Sequence, residues 1–210
     1  MMSEIFTRAL MTILGFALVA GASAANASTV KMGAAKMAVT DKNMSYKIGV
    51  NSGSAHDFTF NNIEGGKLAL ADFAGQPILL VNTASMCGFT KQYAALQEVW
   101  SEYRDLGLVV IGVPSGDFGG QEYDSAEKTK QFCEVNYGID FPMTEKVRIK
   151  GKDAHPYYRW VASEDAKKMP RWNFHKHLID ADGNLVEWFA STTSPKANRV
   201  IRAIEKLLPR

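Results

Sequence analysis

Cysteine is scarce in this sequence. Its 210 residues include two, Cys87 and Cys133, which are too few for a disulfide-scaffolded small domain and lack the close spacing of a zinc site. The sequence also lacks an excess of either charge, since it has 24 basic and 22 acidic residues and no cluster of basic residues. Nucleic-acid binding is therefore not indicated. Small molecules or other proteins are the expected partners, and two cysteines are enough for one redox couple.

The first 24 residues have the pattern of a secretory signal peptide. Arg8 precedes an apolar run over residues 9–20, too short to span a bilayer comfortably, and Ala22-Ser23-Ala24 follows as a small-residue cleavage pattern. A second cleavage pattern is Ala25-Asn26-Ala27, and an uncleaved membrane anchor is the alternative. We expect export, to the periplasm if the cell is bacterial, with no stable membrane association after cleavage. A disulfide can persist in such a compartment.

Residues 25–54 lack helical or strand periodicity and are predicted to be a flexible tether, while residues 55–210 form a single domain. Near its start, Phe58-Thr59-Phe60 and Lys67-Leu68-Ala69-Leu70 flank a Gly-containing turn, which predicts a β-hairpin.

Cys87 lies between a predicted strand and a predicted helix. The apolar run over residues 77–81 is typical of a buried strand, and residues 93–106 carry apolar side chains three and four apart, typical of an amphipathic helix ending at Gly107. The unpaired N–H groups and the dipole of a helix N-terminus would stabilise a thiolate at Cys87. The residue is then either a nucleophile or a small buried apolar side chain.

The apolar run over residues 108–114 predicts a second strand, parallel to the first. Ligand sites in such sheets lie beyond the carboxyl ends of the strands, where Cys87 and the Gly-rich loop 115–122 should meet. That loop lacks the Lys-Ser/Thr pair of a phosphate-binding loop. Ser125 and Gly138 are expected to cap a helix that carries Cys133.

The C-terminal part predicts a short helix preceded by Asp153 or His155, strands over 172–179 and 185–189 joined as a hairpin, and a final helix around 200–208. A βαβ half followed by a ββα half, with a cysteine after the first central strand, indicates an α/β, thioredoxin-like fold. We expect a central mixed sheet flanked by helices, with an N-terminal hairpin. Position 90 is Thr90, so no Cys-x-x-Cys motif is present and the second sulfur must come from elsewhere.

From about residue 55 to the end, the sequence resembles the glutathione peroxidase family. Three segments carry the resemblance in the family's order: residues 81–90 around Cys87, Phe118 to Glu122, and Trp172-Asn173-Phe174 with Leu178-Ile179-Asp180. The resemblance implies a thiol peroxidase that reduces hydrogen peroxide and organic hydroperoxides. It implies Cys87 as the peroxidatic nucleophile, in the place that some members fill with selenocysteine, without any bound cofactor or metal.

The resemblance also implies that Gln121, Trp172 and Asn173 surround the Cys87 sulfur. All three are neutral hydrogen-bond donors, which can hold a thiolate and neutralise the departing oxygen. Their ordinary alternatives are an exposed loop amide for Gln121, a core-packing residue for Trp172 and a polar residue at a strand start for Asn173.

Cys133 stands in a segment that resembles the resolving-cysteine segment of the thioredoxin-dependent branch of the family. The implied cycle oxidises Cys87 to a sulfenic acid, condenses it with Cys133 to a disulfide, and ends with reduction by a thioredoxin-like protein rather than glutathione. Because Cys133 should lie within a helix, the disulfide requires local unwinding. The alternatives are a buried free cysteine and a permanent structural disulfide.

Three departures from the family pattern bear on these expectations. Pro114-Ser115-Gly116-Asp117 stands where Pro-Cys-Asn-Gln is usual, so Asp117 brings a carboxylate that would disfavour the thiolate, and Lys91 would act in the opposite direction. The short connection 162–170 lacks the insertion that builds tetramers in some relatives, so a monomer is expected. A redox sensor or relay, and a non-enzymatic binding module with a structural disulfide, are the competing functions.

Overall fold

The computed structural model describes residues 53–209. The predicted signal peptide, and the predicted tether up to residue 52, lie outside these described residues. Within residues 53–209, no helix is both long enough and apolar enough to cross a membrane.

A two-stranded hairpin opens the described chain. Strands β1 (Thr59–Asn61) and β2 (Lys67–Ala69) pair antiparallel. Phe60 faces Leu68 across the pair, and both side chains are buried. The hairpin predicted from the sequence is confirmed, and its buried face joins the core of the domain.

The central sheet has four strands in the order β4-β3-β5-β6. The strands are β3 (Ile78–Thr83), β4 (Val109–Pro114), β5 (Lys176–Ile179) and β6 (Leu185–Phe189). Strands β3 and β4 run parallel, whereas β5 is antiparallel to both β3 and β6. Every residue of β3 and β4 is buried, as expected of strands covered on both faces. The predicted mixed sheet is confirmed.

In the described part of the chain four α-helices flank the sheet: α1 (Gln92–Tyr103), α2 (Ala126–Tyr137), α3 (Pro156–Glu164) and α4 (Asn198–Glu205). The predicted caps are in place, since Ser125 accepts a hydrogen bond from the Lys128 N–H, and both Gly107 and Gly138 are left-handed.

Three predicted boundaries are wrong, and one of them is the final helix, which was expected around 200–208 but ends at Glu205. Leu106 was expected on the buried stripe of α1, but the chain tightens into a 3-10 turn after Tyr103, which leaves Leu106 55% exposed. The strand expected over 172–179 begins only at Lys176, because residues 172–174 form a turn in which Phe174 has a φ of 62°.

Alternate residues of β3 face two separate apolar layers. Leu79 and Val81 pack with residues of α1, α2 and α4, whereas Ile78 and Leu80 pack with residues of α3 and the N-terminal hairpin. The sheet is thereby covered on both faces, and its carboxyl-terminal edge is left to the connecting loops.

Lys176, on β5, is fully buried between the sheet and α1. Its ammonium group donates hydrogen bonds to the Gln92 side-chain oxygen, to the Thr193 carbonyl at 2.6 Å and to the Ser191 carbonyl at 3.5 Å. Burial lowers the pKa of Lys176 from 10.5 to about 7. The lysine therefore joins β5, the first residue of α1 and the loop after β6 through neutral acceptors alone.

Gly107→Ala should destabilise the protein by about 1–2 kcal/mol, because Gly107 has a φ of 103° and an added Cβ would lie 3.3 Å from Pro209 Cδ. Gly116→Ala is the matched control, since Gly116 is not left-handed and has open space around it. Urea unfolding measures both free energies. Equal losses in the two variants would contradict the prediction.

Lys176→Met should remove one part of the pH dependence of stability. The unfolded lysine keeps its proton up to about pH 10.5 while the folded one releases it near pH 7, so folding stability rises with pH across that window. Between pH 7 and pH 9 the free energy of unfolding should therefore rise by about 2 kcal/mol more in the parent than in the variant. Urea titrations at both pH values measure the difference, and parallel pH slopes would show that Lys176 does not titrate there.

Candidate functional site

Cys87 lies in the turn between β3 and α1, as the sequence predicted. Its side chain is 4% exposed. The Phe89 N–H donates to Cys87 Sγ at 3.4 Å, and the Thr90 N–H donates to the Cys87 carbonyl at 3.1 Å. A backbone N–H is thus aimed at the sulfur, the atom that acts as the nucleophile in cysteine chemistry.

The Gly-rich loop after β4 is joined to this turn by two hydrogen bonds. The Met86 N–H donates to the Gln121 carbonyl at 2.9 Å, and the Ser85 N–H donates to Glu122 Oε2 at 3.2 Å. Glu122 is 5% exposed and also accepts from the Thr129 hydroxyl of α2 at 3.0 Å. Burial raises the pKa of Glu122, and the donated hydrogen bonds act against that rise. One carboxylate thus links the Cys87 turn, the loop and α2.

Asn82, near the end of β3, holds the turn that carries Trp172 and Asn173. Its side-chain amide donates to the Trp172 carbonyl at 3.1 Å and accepts from the His175 N–H at 3.0 Å. Its own carbonyl accepts from the Phe174 N–H at 2.6 Å. These contacts fix the turn, including the left-handed Phe174, a conformation uncommon for a residue other than glycine.

The three predicted donors meet beyond the carboxyl end of β3. Asn173, fully buried, donates from Nδ2 to Gln121 Oε1 at 3.1 Å and to the Phe118 carbonyl at 3.3 Å. The Trp172 ring is 40% exposed, and its centroid lies 6.1 Å from that of Phe118.

Gln121, Trp172 and Asn173 therefore form one cluster, which the Met86 contact attaches to the Cys87 turn. Within residues 53–209, none of the three makes a hydrogen bond to Cys87 Sγ. Their catalytic roles stay predictions.

Asp117 was expected to bring a negative charge toward the thiolate. Its Oδ2 accepts instead from two backbone N–H groups, those of Ile149 at 2.6 Å and Lys150 at 2.9 Å. Two donated hydrogen bonds compensate the carboxylate charge and tie the Gly-rich loop to the segment before α3.

Cys133 lies on the buried face of α2 and is 1% exposed. Both cysteines are free thiols, and both belong to the apolar layer that includes Tyr93. Burial raises the pKa of the Cys133 thiol to about 12; the facing Tyr93 hydroxyl acts against the rise, and the Glu122 carboxylate adds to it. In this state of the protein Cys133 is an unreactive thiol.

Sequence reasoning missed the roles of Asn82 and Glu122. Both stand inside the segments that carry the family resemblance, and no role was predicted for either. A polar residue at the end of an otherwise apolar strand is a signal for Asn82, since a buried amide needs partners. No local signal identifies the partners, which are 90 and 93 residues away.

Comparison with known proteins gives the same picture. The family model of glutathione peroxidase matches residues 55–162. A glutathione peroxidase homolog, BsaA, of Halalkalibacterium halodurans is 43% identical over 145 residues, covering 68% of this chain and 92% of the relative. A hydroperoxy fatty acid reductase, gpx1, of Synechocystis sp. is 39% identical over 162 residues, covering 73% of this chain and 95% of the relative.

Solved structures agree. The crystal structure of Trgpx in its apo form has a TM-score of 0.59 at 32% identity, covering 75% of this chain and 99% of the other. A thioredoxin family thiol:disulfide interchange protein from Chlorobium tepidum, at 17% identity, has a TM-score of 0.55 over 72% of this chain and 93% of the other, which confirms the thioredoxin-like fold. Since sequence relatives, structural neighbours and the arrangement around Cys87 agree, this chain belongs to the glutathione peroxidase family and is an oxidoreductase with peroxidase activity.

Proposed function

We propose that Cys87 is the peroxidatic residue and that its thiolate attacks one oxygen of a hydroperoxide. The O–O bond breaks, one oxygen stays on sulfur as a sulfenic acid, and the other leaves as water or an alcohol after taking up a proton. The observation that carries this proposal is the Phe89 N–H aimed at Cys87 Sγ, in a turn hydrogen-bonded to the Gln121–Asn173 pair.

Gln121 and Trp172 stabilise the oxygen that leaves, and Asn173 holds the Gln121 side chain in position. Gln121 accepts from Asn173 through Oε1, and this contact leaves its Nε2 group free to donate. The half-exposed Trp172, which belongs to the same cluster, adds an indole N–H donor. Neutral donors positioned before the reaction stabilise developing negative charge without reorganising during it.

Cys133 resolves the sulfenic acid. Its thiol condenses with Cys87-SOH, which forms a disulfide and releases water. The buried thiol must first become accessible, so α2 opens locally. The helix fully buries only Thr129 and Cys133, while Phe132 and Tyr137 are partly buried against the core. The ion pair of Lys130 with Glu64 at 2.8 Å is exposed and adds little, so the opening has to break mainly the packing of these four side chains.

An external dithiol protein of the thioredoxin type completes the cycle, taking up the disulfide and returning both cysteines as thiols. Glutathione is disfavoured because Cys133 already supplies the second thiol. We propose that the chain acts as a monomer after export from the cytosol. In that compartment a thiol relay delivers the electrons. The name of the Synechocystis relative supports fatty-acid hydroperoxides, besides hydrogen peroxide, as substrates.

One equivalent of hydrogen peroxide should remove both thiols and two hydrogens from the reduced protein, as measured by intact mass and thiol titration. Cys133→Ser should stop at a sulfenic acid that dimedone traps, whereas Cys87→Ser should keep its remaining thiol because Cys133 is buried with a raised pKa. Turnover with dithiothreitol separates an enzyme from a single-use sensor. If Cys87→Ser loses its thiol as fast as the parent, Cys87 is not the peroxidatic residue.

Gln121→Ala should slow the first oxidation of Cys87 by roughly 10²-fold, the loss seen when one positioned donor is removed. Stopped-flow mixing with hydrogen peroxide measures this step apart from disulfide reduction. Gln131→Ala is the matched control, because Gln131 is exposed on α2, away from the cluster. Equal rate constants for the two variants would remove Gln121 from the mechanism.

A further inference from the structure

A cavity of about 360 Å³ opens at the same end of the sheet as Cys87. We call it the His175 cavity; among its lining residues are Lys167, Met169, Arg171, His175, Trp188 and Ala190. The cavity lies close to the cluster of Gln121, Trp172 and Asn173. Arg171 immediately precedes Trp172 in the chain, and the Asn82 N–H donates to the His175 carbonyl at 3.2 Å. Its volume falls within the range of small-molecule sites.

One wall of the cavity is aromatic. The His175 ring stacks on the Trp188 ring, with centroids 5.2 Å apart and planes 10° from parallel. Met169 and Ala190 add aliphatic surface. Such a surface accepts an aliphatic chain by removing it from water.

His175 also carries an unsatisfied polar atom. The residue is 4% exposed, and its Nε2 has no hydrogen-bond partner within residues 53–209. The nearby Lys168 carbonyl accepts instead from His177 Nε2 at 2.8 Å. Burial lowers the pKa of His175 to about 4, so the ring is neutral and can offer an N–H to an anion or a carbonyl. A buried polar atom without a partner is destabilising, and a ligand that pairs with it relieves that cost.

The charge at the mouth of the cavity is positive. Lys167 and Arg171 are exposed, no acidic residue lines the cavity, and neither side chain forms a salt bridge within residues 53–209. An arginine matches the geometry of a carboxylate, which can accept two parallel hydrogen bonds from it.

We propose that the His175 cavity binds a carboxylate and the aliphatic chain attached to it, so that the protein distinguishes hydroperoxides that carry a free acid from the corresponding esters. The carboxylate pairs with Arg171 and Lys167, and the chain lies on the Trp188 wall. Because His175 Nε2 is buried in this structure, the His175 ring turns on binding, and Nε2 then donates to the acid. This specificity rests on the proposed peroxidase function, whereas binding of a non-reactive acid does not.

Two measurements test the site. Calorimetry on the reduced protein, without peroxide, compares octanoate with 1-octanol; octanoate should bind about tenfold more tightly. Kinetics then compares linoleic acid hydroperoxide with its methyl ester, and the ratio of kcat/KM for acid over ester should fall roughly tenfold in Arg171→Met. Lys152→Met, another exposed basic residue, should leave that ratio unchanged.

Equal binding of octanoate and octanol, or an acid-to-ester ratio that Arg171→Met leaves unchanged, would overturn the carboxylate site while the peroxidase assignment stands. If neither hydroperoxide nor hydrogen peroxide oxidises Cys87, the proposed function fails instead, and calorimetry with Arg171→Met still decides whether the cavity binds the acid. His175→Phe keeps an aromatic ring against Trp188 but removes Nε2, so weaker octanoate binding in that variant assigns the hydrogen bond to His175.

Discussion

The arrangement of the site depends on the hydrogen bonds made by the backbone and the side chain of Asn82. All four of its polar groups are paired, with the Trp172 carbonyl, the Phe174 N–H and both backbone groups of His175. The residue is 1% exposed, so any of these groups left unpaired would be costly. A few residues further on, Ser85 and Met86 attach the Gly-rich loop. The end of β3 thus organises both loops that approach Cys87.

The same burial that orders the site restrains its second cysteine. Cys133 packs in the layer shared by α1, α2 and the sheet, and its raised pKa keeps it protonated. Burial and protonation shield a thiol in that position from oxidants, and it becomes accessible only when α2 moves away from the core. Glu122 connects that helix to the Cys87 turn through Thr129 and Ser85. The Cys87 turn and α2 therefore belong to one hydrogen-bond network.

Three successive basic side chains, His175 to His177, are buried where β5 begins, and each has a structural consequence. Lys176 faces α1 and donates its hydrogen bonds to uncharged amide and backbone carbonyl oxygens, whereas His175 and His177 face the other layer. His177 is satisfied by the Tyr157 hydroxyl and the Lys168 carbonyl. His175 differs, because its Nε2 is left without a partner beside an open cavity. His177 is therefore a packing residue, whereas His175 is a candidate contact for a ligand.

Local patterns in the sequence determined the strands around 78–83 and 109–114, the helix caps at Ser125, Gly107 and Gly138, and the motifs that carry the family resemblance, because each depends on residues close together in the chain. Only the tertiary structure decided that Asp117 bonds to the segment before α3, that β5 begins at Lys176, and that Asn82 and His175 become neighbours. These outcomes depend on hydrogen bonds between residues 32 to 93 positions apart, and periodicity along the chain carries no information about such partners.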